Sequence, residues 1–126
     1  MSYSDQVLDH FENPRNVGEL SPADAEVRVE NPVCGDIMKL WVRLSGDRIT
    51  EARFRTRGCV ASIAASSCLT EMIKIKSLAE ARSIRREQLV EALGGLPNAS
   101  QHGAHLAMDA LAAALKKLEG IKKLEG

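Results

Sequence analysis

The stretch Met38-Lys39-Leu40-Trp41-Val42-Arg43-Leu44-Ser45-Gly46-Asp47, continued by Ala52-Arg53-Phe54-Arg55-Thr56-Arg57, decides the fold. Met38, Leu40, Val42 and Leu44 alternate with Lys39, Trp41 and Arg43, the two-residue period of a strand with one buried face. Ser45-Gly46-Asp47 is a turn signal. The alternation resumes with Ala52, Phe54 and Thr56 set against Arg53, Arg55 and Arg57. Upstream, Val27 and Val29 alternate with charged residues in the same way. Three consecutive strands joined by short turns imply an antiparallel meander.

Outward from the meander the period changes. Ser4 to Glu12 reads as a short helix with Val7, Leu8 and Phe11 on one side, ended by Asn13-Pro14. Residues 14–24 read as loop. Beyond Gly58-Cys59, the spacing of Val60, Ile63, Ala64, Leu69, Met72 and Ile73 predicts a helix over Val60 to Ile75. Ser77-Leu78-Ala79-Glu80 fits a capping box, and Arg85 to Leu93 a third short helix stopped by Gly94-Gly95 and Pro97. Ser100 is placed to cap a last helix carrying Ala104, Ala107, Leu111, Leu115 and Leu118 on one stripe. The Lys-Lys-Leu-Glu-Gly run at 116–120 recurs at 122–126, and 117–126 reads as a frayed tail. The class is α+β: one domain over 1–126, a small three-stranded antiparallel sheet with helices packed on one face.

Composition narrows what such a domain does. With 126 residues and 44% hydrophobic side chains, the chain can bury a core without disulfide staples. Aromatics are only 3%, so that core is aliphatic. The 17 basic and 17 acidic residues cancel, leaving no surplus to drive binding to a phosphate backbone, so nucleic acid is a poor partner. No apolar run approaches the roughly 18 residues of a membrane span, and Asp5, Asp9 and Glu12 spoil any leader-like segment. A cytoplasmic location, without nucleic acid or membrane as partner, is the expectation. Three cysteines in a reducing compartment are free thiols or metal ligands far more often than disulfides.

The chemistry concentrates in two cysteine motifs, Asn31-Pro32-Val33-Cys34-Gly35-Asp36 and Arg57-Gly58-Cys59. Cys34 heads the second strand and Cys59 follows the third, so the meander brings both to one end of the sheet. Pro32 stiffens the approach, Gly35 lets the backbone turn closely around an ion, and Asp36 is near enough to share it. Cys59 precedes a predicted helix, whose unpaired N–H groups favour negative charge. His102 and His105, three apart on the last helix, occupy neighbouring parts of one face. Thiolate, thiolate, carboxylate and imidazole make a first shell for zinc or iron. Cys68 lies nine residues past Cys59, about 13 Å along a helix. It reads as a small buried hydrophobe, and His10 as an ordinary surface or half-buried histidine. Arg53, Arg55 and Arg57 read as a solvated strand face.

Taken together, these residues resemble the IscU/NifU-type scaffold family for iron–sulfur cluster assembly. Similar features run from Tyr3-Ser4 and His10-Phe11-Glu12-Asn13-Pro14-Arg15-Asn16-Val17-Gly18 through Cys34-Gly35-Asp36-Ile37-Met38-Lys39-Leu40 to Ala52-Arg53-Phe54 and Gly58-Cys59. Ile63-Ala64-Ala65-Ser66-Ser67, Lys76-Ser77-Leu78, Leu96-Pro97 and His102 continue them. The resemblance implies a non-enzymatic scaffold that takes sulfur from a cysteine desulfurase, holds iron in a transient [2Fe–2S] cluster and hands it to acceptor proteins, with zinc as an alternative occupant. It places Cys34, Asp36, Cys59 and His102 on the family's ligand positions. Gly103 stands where the family has a third cysteine, and His105 is a candidate substitute for that thiol. The family's docking motif for an Hsp70-type chaperone is degraded to Leu96-Pro97-Asn98-Ala99-Ser100. Two other readings remain open: a SufU-like zinc-dependent sulfur acceptor, and a docking module of the assembly machinery that carries no cluster.

Overall fold

Alternation in the meander becomes register. In a computed structural model, which describes residues 3–125 and their side chains through residue 120, β1 (Ala25–Glu30), β2 (Ile37–Ser45) and β3 (Arg48–Arg57) form an antiparallel sheet in that order. Leu40 lies opposite Val27 on β1 and Phe54 on β3, and Met38 opposite Val29 and Thr56. Met38, Leu40, Val42, Ala52 and Phe54 are all buried on the inner face. Each large side chain so buried contributes about 1.5–3 kcal/mol.

That face is covered by two helices, α2 (Val60–Ile73) against β3 and α5 (Gln101–Glu125) against β1 and β2. The first helix, α1 (Asp5–Glu12), packs on the far side of α2, which is therefore enclosed by sheet, α1 and α5. A helix so enclosed has buried residues all round, and α2 uses small ones: Ala61, Ser62, Ala64, Ala65, Ser66, Ser67, Cys68 and Thr70. Their hydroxyls find partners inside. Ser66 Oγ donates to the Ser62 carbonyl at 2.7 Å and lies 2.7 Å from Thr56 Oγ1. Ser67 Oγ accepts the Arg15 N–H at 2.9 Å and sits 2.7 Å from His10 Nδ1. His10 is thereby part of the joint between α1 and α2, and burial first, then the nearby Arg15 charge, lower its pKa.

Four boundaries or surfaces depart from the sequence reading. α2 stops at Ile73 rather than Ile75, because Ile75 N–H donates to the Ile49 carbonyl and Lys76 accepts from Ile49 N–H, pulling 75–76 alongside β3. Ser77 starts α3 (Leu78–Arg82) with the expected capping box, and α4 (Arg86–Ala92) follows. Ser100 closes a short 3-10 turn at Asn98–Ser100, and its hydroxyl meets Tyr3 Oη at 3.2 Å.

The expected fraying from residue 117 does not occur over 117–120. There α5 continues, Leu118 is buried, Lys117 Nζ donates to the Glu26 carbonyl at 2.8 Å, and Arg82 pairs with Glu119. The rest of that tail lies outside the residues whose side chains are described. The outer face of the sheet is also not a plain solvated surface. Residues 18–22 cross it, tied by Arg43 to the Pro22 carbonyl at 2.9 Å and by Arg55 to Glu19 at 3.2 Å. Trp41 is only 4% exposed on that face. Among the described residues no helix is long and apolar enough to cross a membrane.

Candidate metal centre

One end of the sheet collects the reactive groups. The β1–β2 connection is held by Asn31, whose side-chain oxygen accepts the Val33 N–H at 2.9 Å while its carbonyl accepts the Gly35 N–H at 2.7 Å. This turn lifts Cys34 to the surface and sends Asp36 back inward, 8% exposed, toward the start of α2. Cys59 is the N-cap residue of α2, with extended backbone and half-buried side chain. His102 arrives from the first turn of α5, its side chain 31% exposed.

From these three segments the donor atoms converge. Ligand atoms of Cys34, Asp36 and His102 all lie within 4.8 Å of one another. Cys59 Sγ is 3.2 Å from His102 Nε2, which is 3.7 Å from Asp36 Oδ2. Donors bound tetrahedrally at zinc–ligand distances sit about 3.6 Å apart, so the spacing suits a shared ion. Two sulfurs, a carboxylate and an imidazole are also the donor types that hold zinc or iron–sulfur iron. Cys34, Asp36 and His102 therefore fit a metal and would hold it; Cys59 lies outside the set whose ligand atoms all fall within 4.8 Å and would join it from beside His102.

Electrostatically the carboxylate is arranged to stay ionised. Burial alone would raise the Asp36 pKa, but a 2.5 Å hydrogen bond from Ser62 Oγ, the Cys59 N–H at 3.4 Å and the nearby His102 outweigh it, and the net direction is down. Close approach is possible because residue 58 is glycine. A Cβ there would stand 2.5 Å from Asp36 Cγ and 2.7 Å from its Oδ2.

His105 is exposed and is not among the side chains whose ligand atoms converge. It lies one helical step of three residues beyond His102, about 4.5 Å further from the end of α5. Gly103 is buried, and a Cβ on it would meet Ala61 C at 2.8 Å, Ala61 O at 2.9 Å and Ser62 N at 2.9 Å. The space a side chain at 103 would need is occupied by the backbone of α2. Cys68 is buried in α2, and desolvation pushes its thiol up to about 11.

Sequence reasoning missed Ser62, which touches both Asp36 and Cys59, and the close packing at Gly58. The signal for Ser62 was its offset: once Cys59 is taken as N-cap, residue 62 is N3, the position whose side chain reaches back to the cap.

Comparison with known proteins agrees in fold and in sequence. The family described as NifU-like N terminal domain matches residues 2–125. Iron-sulfur cluster assembly scaffold protein IscU 1 of Archaeoglobus fulgidus is 47% identical over 129 residues, covering 97% of this chain and 84% of that protein. The scaffold protein IscU of Escherichia coli K12 is 46% identical over 119 residues, covering 91% and 92%. Among solved structures, a NifU-like N-terminal protein from Brucella abortus superposes with a TM-score of 0.77 at 18% identity, over 93% of this chain and 94% of that one. A SufU-type scaffold protein from Fervidobacterium islandicum gives 0.71 at 19%, over 90% and 96%. Those two likenesses concern the fold alone, an α+β domain with a three-stranded antiparallel sheet. The match across nearly the whole length, together with identity near one residue in two to IscU proteins, means that this chain belongs to the NifU-like N-terminal domain family.

Proposed function

We propose that this protein is a scaffold on which an iron–sulfur cluster is assembled and from which it passes to acceptor proteins. The observation that carries this reading is the convergence of Cys34, Asp36 and His102 at one end of the sheet, with Cys59 Sγ beside His102. The relatives named above, described as iron-sulfur cluster assembly scaffolds, support it. The cargo is a transient [2Fe–2S] cluster, with iron or zinc as simpler occupants. A cysteine desulfurase supplies the sulfur, and the setting is the cytoplasm.

A site with two thiolates, one carboxylate and one imidazole has less thiolate character than an all-cysteine site, the ligand set that holds stable clusters. That composition, and a Cys34 that stands exposed at the rim, suit a centre that must release what it holds. The relatives described as scaffolds support a role of holding and presenting rather than turning over. The SufU-like reading needs a third thiolate. The remaining cysteine, Cys68, is buried within α2, nine residues beyond Cys59.

Anaerobic reconstitution with iron and sulfide tests the proposal. A [2Fe–2S] absorption spectrum that appears on the chain and is then transferred to an apo-ferredoxin is the expected result. Zinc binding with no cluster formed would favour the sulfur-acceptor reading, and neither would favour a docking module.

A further inference from the structure

Gly58 stands between the last residue of β3 and Cys59, the cap of α2, and it is exposed. Two usual reasons for a glycine are missing there. Its φ lies outside the left-handed region, so backbone strain does not call for one. Its exposure means that no crowded core surrounds it. What a side chain at 58 would meet is a single residue. The three atoms nearest a Cβ there are Asp36 Cγ at 2.5 Å, Oδ2 at 2.7 Å and Cβ at 3.0 Å. Gly103 differs, because its obstruction is the backbone of α2.

Asp36 lies across residue 58 to reach the first turn of α2. Its Oδ2 accepts from Ser62 Oγ at 2.5 Å and from the Cys59 N–H at 3.4 Å, and it faces His102 Nε2 at 3.7 Å. With a Cβ on residue 58, the carboxyl must retreat by about 1 Å before the contacts become ordinary. That retreat carries Oδ2 away from the Cys59 N–H, the next amide along the chain, whose hydrogen bond at 3.4 Å has no slack to give.

We infer that Gly58 is a positioning residue for the centre: the missing side chain at 58 is what seats the Asp36 carboxylate on the first turn of α2, beside Cys59 and His102. With a side chain there, the centre behaves as though Asp36 had been removed. This rests on reading the centre as a metal-holding site.

A double-mutant cycle on the full chain tests it, with wild type, Gly58→Ala, Asp36→Ala and the two together. Denaturant unfolding of the metal-free chain reads the contact. Gly58→Ala alone should raise the unfolded-to-folded ratio about tenfold, within the range of overpacking. In the Asp36→Ala background, where only the Cβ of residue 36 remains at 3.0 Å, the same change should matter less than about twofold. Clusters reconstituted anaerobically with iron and sulfide read the positioning. Gly58→Ala should lengthen the life of the cluster several-fold, as Asp36→Ala does, and the double variant should differ from Asp36→Ala by less than about twofold. A glycine that served only the packing would give the opposite sign, a less stable chain that loses its cluster sooner.

A shorter or unchanged cluster life in Gly58→Ala, or an equal effect with and without Asp36, would overturn the inference. If Gly58→Ala fails to fold, the double variant decides: recovery of the fold supports the inference, and its failure overturns it. Absence of a cluster on wild type would remove the metal-centre reading and this inference together. A cluster on wild type whose life Gly58→Ala leaves unchanged would remove the inference alone.

Discussion

The two ends of α2 carry the same kinds of side chain and put them to different uses. Toward its C-terminal end, Ser66, Ser67 and Thr70 each have their hydroxyl matched to a carbonyl, an N–H, an imidazole or another hydroxyl, and Cys68 is sealed among them. At its N-terminal end, Cys59 and Ser62 contact Asp36 and His102, whose ligand atoms lie within 4.8 Å of that of Cys34. Polar groups whose lone pairs are all engaged by the protein hold elements together. Metal-ligating atoms from separate segments gathered within a few ångströms of one another are placed to share a cation. A cysteine's neighbours, rather than its presence, separate a ligand from a packing residue.

Thiol reactivity gives the widest separation between the two ends. At pH 8 a thiol with a pKa of about 11 is only about 0.1% thiolate. Iodoacetamide on the metal-free chain should therefore label exposed Cys34 faster than buried Cys68 by ~100-fold or more, read by peptide mass mapping. Comparable rates would erase the contrast.

Refilling position 103 attacks the N-terminal end through its packing. Gly103→Cys forces a Cβ to within 3 Å of the α2 backbone at Ala61 and Ser62. Denaturant unfolding should show a loss of about 1–3 kcal/mol, the usual range for overpacking. A variant as stable as wild type would mean that the helices separate freely there, and that the thiol absent from this chain is easily restored.

Asp36→Ala sharpens the comparison in the opposite sense. Removing this carboxylate should lengthen the life of a reconstituted cluster several-fold, followed by the decay of its visible absorbance. A shorter life would make Asp36 an ordinary holding ligand.

How much of this could be read beforehand follows from the range of the interactions. The sheet was legible because Met38, Leu40, Val42, Ala52 and Phe54 repeat the two-residue period of a half-buried strand, which is a local property. Cys34, Asp36 and Cys59 stood out because turns and a helix start flank them. The end of α2 was not legible: nothing local to Ile75 announces its pairing with Ile49. The packing of residues 117–120 likewise depends on Glu26 and Arg82, remote in sequence.

Gly103 reads as a missing side chain in sequence and as a close helix crossing in space. His105 was carried toward the site by a shared helix face, but it sits about 60° around the axis from His102 and about 4.5 Å further along, and is exposed. His105→Ala should accordingly be the mildest change, altering stability by less than about 0.5 kcal/mol and leaving metal content unchanged. A tenfold loss of metal affinity would bring His105 into the centre after all.

The central claim is that the open end of α2, and not its sealed end, holds the metal. Metal content of the purified chain, measured beside Cys34→Ala/Cys59→Ala and Cys68→Ala, tests it most directly. The account predicts close to one tightly held zinc or iron per chain in wild type and in Cys68→Ala, and none in the double variant. Full occupancy in the double variant would contradict it.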